Sequence, residues 1–207
     1  MNKSKVDYTL YLCTDRKLMT APTLEKAVED AIKGGCTVIQ LREKYCTSQE
    51  FYDLALSVKK ITDYYEIPLI INDRIDIAVA IDASGVHLGQ KDLPSDVARK
   101  ILGEEKIIGA SANNLQMAVK AESDGVDYIG IGALFTTNTK NDTKPVSVEQ
   151  LKKICSAVKI PVVAIGGINH SNIHLLKDTG INGVAVISAV IGSEDITSAA
   201  KRLKLLF

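Results

Sequence analysis

Short apolar runs rich in Val and Ile recur along the chain at the spacing of a strand–helix unit. They fall at 8–12, 38–41, 69–71, 86–88, 107–110, 128–131, 162–165 and 184–187. Runs of this length, apolar on both alternating faces, suit parallel strands buried on both sides. Between them the period changes to that of a helix. Leu24, Ala27, Val28, Ala31 and Ile32 form one apolar stripe, and Phe51, Leu54, Ala55, Val58, Ile61 and Thr62 form another. Val148, Leu151, Ile154, Cys155 and Val158 form a third, and Ile196, Ala199, Ala200 and Leu203 form the last. This spacing lets each helix bury one face. Segments 75–83, 95–102, 115–125 and 172–179 carry weaker versions of the pattern and are also predicted helical. Eight strands alternating with eight helices predict an α/β fold, a (β/α)8 TIM barrel, with residues 1–207 as a single domain. Periodicity alone leaves an open doubly wound sheet as the alternative.

The punctuation is asymmetric. Short turns precede strands, at 34–35, 67–68, 124–125, 160–161 and 179–180, whereas polar and charged side chains follow them. A barrel divides its rims in this way, with stability at one and chemistry at the other.

Composition narrows the chemistry. The formal net charge is zero and aromatics make up 5% of the chain. Any anion must therefore be held by local donors, and no nucleic-acid partner is expected. Cys13, Cys36, Cys46 and Cys155 lack CxxC spacing and a nearby histidine, which disfavours zinc and suits reduced thiols. No apolar run approaches the roughly 20 residues that cross a bilayer. A soluble cytoplasmic protein without a membrane partner is expected; nothing in the sequence speaks to oligomeric state.

Candidate chemistry lies at the strand ends. Strand alternation places Gln40, Arg42 and Lys44 on one side, with Leu41 and Glu43 between them. An arginine fork and a lysine point charge there could clasp phosphate oxygens, or form a solvated charge cluster. Asn72 and Asp73 end the third run, and Asp92 follows the fourth. Two carboxylates without a His or Cys cluster suit Mg2+ bound partly through substrate phosphate. Helix capping is the competing use, more so for Asp92, because Pro94 follows closely. His87 could be a base near the barrel mouth, but reads more readily as a satisfied core histidine; His170 and His174 have the i, i+4 spacing of a metal pair but lack a third ligand and read as surface residues. Ser111 could hydrogen-bond a polar substrate edge or cap a helix. Thr137, Asn138, Thr139 and Lys140 make an anion clamp or a solvated loop, and composition alone favours the loop. Gly166 and Gly167 after the seventh run, and Ile187 and Ser188 after the eighth, fit the place where barrels bind phosphate through backbone N–H groups. Two anion sites on one rim suggest two phosphorylated small molecules held side by side.

These motifs, in this order, resemble the thiamine phosphate synthase family. The matching pieces are QLREK at 40–44, NDR at 72–74, GVHLGQKD at 85–92, GAS at 109–111, TNTK at 137–140, IGGI at 165–168 and VIS at 186–188. The resemblance implies a transferase. It would couple 4-amino-5-hydroxymethyl-2-methylpyrimidine diphosphate to a hydroxyethylthiazole phosphate, releasing pyrophosphate. It further implies that Gln40, Arg42, Lys44, Asn72, Ser111 and Lys140 bind the pyrimidine diphosphate, with Leu41, Glu43 and Asn138 also in the substrate-binding segments and Arg42, Lys44, Lys140 and Ser111 in the catalytic group. Asp73 and Asp92 would bind Mg2+, and Thr137, Thr139, Gly167, Ile187 and Ser188 would hold the thiazole phosphate. The family usually has proline where Ala133 and Thr136 stand. A thiazole tautomerase-like barrel and a non-catalytic ligand-sensing barrel are the rival readings, and the full set of rim charges disfavours both.

Overall fold

The computed structural model describes residues 3–136 and 145–207. Eight strands run parallel and close on themselves in chain order. They are β1 (Leu10–Cys13), β2 (Val38–Leu41), β3 (Leu69–Asn72), β4 (Gly85–Leu88), β5 (Ile107–Ala112), β6 (Tyr128–Ile131), β7 (Val162–Ile165) and β8 (Gly183–Val186). The pairing of β1 with β8, Leu10 opposite Val184, completes the ring and excludes the open sheet. The helices around it are α1 (Leu24–Lys33), α2 (Ser48–Tyr64), α3 (Ile75–Ala80), α4 (Ser95–Leu102), α5 (Leu115–Ser123), α6 (Val148–Ala157), the short α7 (Ser188–Ile191) and α8 (Ile196–Leu206).

Helix starts are written in the sequence. Thr47 and Glu50 form a reciprocal capping box at α2, and Ser147 and Gln150 form another at α6. Thr23, Asn114 and Asp195 cap α1, α5 and α8 with side-chain oxygens. The predicted helix at 172–179 is a correction: only a 3-10 turn, Ile173–Leu176, forms there. Local side chains win over the helix. Asn169 Oδ1 accepts from the Ser171 N–H at 2.8 Å, and Asn172 Oδ1 accepts from the Asn169 N–H at 2.9 Å. Asp178 then takes φ 58° and ends the segment. Helices α3 and α5 stop before the predicted 83 and 125, and β8 ends one residue early.

Alternation along the strands builds two apolar layers. Leu10, Leu12, Ile39, Leu41, Leu69, Ile71, Val184 and Val186 point outward into the core shared with the helices. Tyr11, Cys13, Val38, Ile70, Ile107, Tyr128, Val163 and Ala185 form the core inside the barrel. Leu41, expected beside the substrate, thus has its side chain fully buried on the helix side. The lower rim is tied by Asp127. Its carboxylate receives Arg99 Nη2 at 2.6 Å, the Ile108 N–H at 2.8 Å and Lys3 Nζ at 3.0 Å. No described helix is long and apolar enough to cross a membrane.

Candidate active site

All strands point the same way, so their carboxyl ends share one rim. There the inward-facing positions turn polar and enclose a cavity. Gln40, Arg42, Asn72, His87, Ser111, Gly130 and Ile187 line its upper part, and Tyr11 and Tyr128 form its floor. Register explains the convergence: Cys13 pairs with Gln40, Asn72 with His87, and Ser111 with Gly130.

The floor is a continuous hydrogen-bonded chain. Gln40 Nε2 donates to Tyr11 Oη at 2.8 Å, and Tyr11 Oη lies 2.8 Å from Tyr128 Oη. Tyr128 Oη lies 2.9 Å from His87 Nδ1, and His87 Nε2 lies 2.9 Å from Ser111 Oγ. Burial raises both phenol pKa values well above the usual range, which keeps these hydroxyls protonated. His87, expected in the core, is half-buried and lines the cavity with both ring nitrogens hydrogen-bonded. Tyr11 and Tyr128 were missed from the sequence, because within apolar strand runs they read as ordinary core; their inward parity relative to Gln40 and Ser111 was the available signal. Gly109 makes the chain sterically possible: a Cβ there would lie 2.1 Å from Tyr128 Cζ.

At the lip, Asp73 and Asp92 hydrogen-bond each other, and Lys44 Nζ meets Asp73 Oδ2 at 2.5 Å. Burial alone would raise the Asp73 pKa, but Lys44 and the bond from Asp92 outweigh it and hold it low. Asp92 moves the other way, raised by burial and by the neighbouring Asp73. The two neighbouring carboxyls therefore titrate apart, Asp73 losing its proton before Asp92. Neither acid caps a helix. The residue before α3 is Arg74 and that before α4 is Pro94, both without a side-chain cap, and Asp92 Oδ2 instead accepts from the Gly89 N–H at 2.7 Å. Asp73 sits at φ 62°, in the left-handed region. Ser111 is likewise no cap, since Asn114 caps α5.

The alternation argument for Lys44 fails, because β2 ends at Leu41. Arg42 stays at the cavity, 3.8 Å from Asp15, whereas Lys44 swings to Asp73. Glu43 is held by Arg16 through two bonds of 2.9 and 2.7 Å. Thr137, Asn138, Thr139 and Lys140 lie outside the described residues.

Opposite the acids, Gly167 adopts φ 66°. A Cβ there would lie 2.6 Å from the Thr136 carbonyl, so the loops after β6 and β7 pack backbone to backbone. Ile187 leaves β8 and Ser188 opens α7, whose first turn has no side-chain cap. His170 and His174 are exposed.

The family model described as thiamine monophosphate synthase matches residues 10–190, nearly the whole barrel. The chain belongs to the thiamine monophosphate synthase family. Among curated relatives of this family, the thiamine-phosphate synthase of Ruminiclostridium cellulolyticum is 59% identical over 205 residues, covering 99% of this chain and 98% of that protein. The thiamine-phosphate synthase of Clostridium tetani is 54% identical over 207 residues, covering 100% and 99%. A solved thiamine phosphate pyrophosphorylase from Pyrococcus furiosus superposes with TM-score 0.90 at 41% identity, covering 97% of this chain and 96% of that one. Membership in the thiamine monophosphate synthase family thus spans both rims and every strand end described above.

Proposed function

We propose that this barrel is a transferase that couples the aminopyrimidine diphosphate to the thiazole phosphate, yielding thiamine phosphate and pyrophosphate. The full-length kinship with thiamine-phosphate synthases supports the reaction. The observation that carries the site assignment is the Asp73–Asp92–Lys44 cluster at the lip of a cavity walled by Gln40, Asn72 and Ser111. It supports the reading of a cation-bound diphosphate held beside a pocket for a polar ring.

The described residues contain no group of three or more acids, histidines or cysteines suited to a metal. Two hydrogen-bonded carboxyls still fit Mg2+. A hard cation could take oxygens from both and its remaining ligands from diphosphate and water. Asp73 and Asp92 would hold it, and when bound it would help neutralise the leaving diphosphate.

The chain's own groups divide the remaining work. Gln40, Asn72 and Ser111 orient the ring. Arg42 and Lys44, with Lys140 from the loop, stabilise charge on the departing diphosphate oxygens. Gly167, Ile187 and Ser188 offer backbone and hydroxyl donors to the second phosphate, a task the family resemblance also gives to Thr137 and Thr139. Departure of pyrophosphate before attack by the thiazole nitrogen leaves no task for a protein nucleophile. Alignment of the two partners then supplies the rest of the acceleration. The setting is a soluble cytoplasmic enzyme with small-molecule substrates.

The test is incubation of the purified protein with both substrates and Mg2+. Thiamine phosphate and equimolar pyrophosphate are expected. Asp73→Ala should lose turnover at limiting Mg2+ while its circular dichroism stays unchanged. Thiazole phosphate turned over without pyrophosphate would point to a tautomerase and end this reading.

A further inference from the structure

The buried chain from Gln40 to Ser111 has a direction. An amide N–H can only donate, so Tyr11 Oη accepts from Gln40 and has its own proton for Tyr128. Tyr128 Oη, having accepted from Tyr11, donates to His87 Nδ1. In the neutral imidazole the proton must then sit on Nε2, where it is donated to Ser111 Oγ. Ser111 is left with its own proton to give, and Gln40 with Oε1 to accept. Both residues line the cavity.

We propose that Tyr11, Tyr128 and His87 are positioning residues. Their one-way relay leaves the Gln40 Oε1 acceptor and the Ser111 hydroxyl proton open toward the cavity, which favours a ring edge carrying an amine beside an unprotonated ring nitrogen. This deepens, and rests on, the aminopyrimidine reading of the same pocket. The relay is protected from rearrangement by its packing. Tyr11 and Tyr128 are each 1% exposed, and the Tyr128 ring lies against Tyr8, Tyr11 and His87 with centroids 4.8, 5.9 and 5.5 Å away. Each phenol hydroxyl lies between two hydrogen-bond partners, so reversing the Tyr11–Tyr128 bond would leave the Tyr11 proton without an acceptor among them. An edge of opposite polarity, carbonyl beside N–H, would set its carbonyl oxygen against Gln40 Oε1 and leave the Ser111 proton unused. Such mismatches leave polar groups unpaired and are rejected far more strongly than a missing methyl.

Two measurements test this. The first needs no turnover. The chain has three histidines, and the other two are exposed, so the His87 ring nitrogens can be assigned by 15N NMR. The relay requires Nε2–H in the wild type and a loss of that single tautomer in Tyr128→Phe, which keeps the ring and removes the hydroxyl. A wild-type Nδ1–H tautomer would mean the opposite polarity and would overturn the proposal whether or not the protein makes thiamine phosphate. The second compares the amino substrate with its oxo analogue. Tyr128→Phe should lower the ratio of their kcat/KM values about tenfold, the loss expected when one neutral hydrogen bond stops enforcing polarity. The KM for the thiazole phosphate should stay unchanged, which a general packing defect would not spare. An unchanged amino-to-oxo ratio in an active variant would sink the relay while leaving the coupling reaction standing. Absence of coupling by the wild type would sink that reaction and leave the tautomer test to decide the relay.

Discussion

Replacing Gly109 with alanine probes the packing on which the cavity floor depends. The added Cβ would lie 2.1 Å from Tyr128 Cζ, 2.3 Å from Cε1 and 2.5 Å from the hydroxyl. Contacts this short cannot be absorbed by a flexible tip, because the ring is wedged between Tyr8, Tyr11 and His87. Overpacking of a rigid core costs about 1–3 kcal/mol. Displacing the Tyr128 hydroxyl adds about 1 kcal/mol for each of its two hydrogen bonds, giving roughly 3–5 kcal/mol in all. With a urea dependence near 2 kcal/mol per molar, the unfolding midpoint should fall by about 2 M. Gly130→Ala is the internal comparison. Its Cβ meets His87 Cε1 at 3.2 Å, which a shift of a few tenths of an ångström relieves. Its cost should stay near 1 kcal/mol. Adding Tyr128→Leu to Gly109→Ala removes the ring that clashes and should recover part of the loss, a coupling that a double-mutant cycle reads directly. A Gly109→Ala protein whose midpoint lies within about 0.2 M of wild type would refute the claim that this glycine exists to admit Tyr128.

Two further outcomes follow from the titrating groups. Burial pushes the Cys36 thiol up to about 12, whereas Cys46 is only partly buried. Under native conditions at pH 7.5, maleimide should modify Cys46 well before Cys36, as read by peptide mass mapping; equal rates would show that the α1–β2 turn opens freely. Several carboxyls are held below their ordinary values: Glu29 by Lys33, Glu50 by the Thr47 backbone, Asp76 by Arg74, Asp82 by Lys106 and Asp195 by the Ser198 backbone. A depressed folded-state value contributes stability above the unfolded value and loses it as pH falls through the folded one. The urea midpoint should thus be flat from pH 7 to about 5 and drop below about pH 4. A midpoint that rises on acidification over that range would contradict these assignments.

The alternation of apolar strands with amphipathic helices already contained the eight strand–helix units, because each element had to bury its own face and the caps at Thr23, Thr47, Asn114 and Ser147 mark where helices begin, whereas closure of the ring was decided by the pairing of β1 with β8. The order of polar residues after the strands likewise marked one rim, since parallel strands bring all their carboxyl ends together. What no local pattern could supply was the partner of each side chain. Whether Asp92 capped a helix or faced Asp73 turned on the path of the 89–94 loop, and Lys44 left the side assigned to it because β2 stops three residues earlier. The segment at 172–179 kept a helical period yet lost its helix to side-chain bonds from Asn169 and Asn172. Tyr11 and Tyr128, separated by 117 residues, gained meaning only when barrel closure set their hydroxyls 2.8 Å apart. Periodicity records which face of an element meets the core, whereas a hydrogen bond across that core depends on the register of strands distant in the chain, and register is fixed only when the sheet closes.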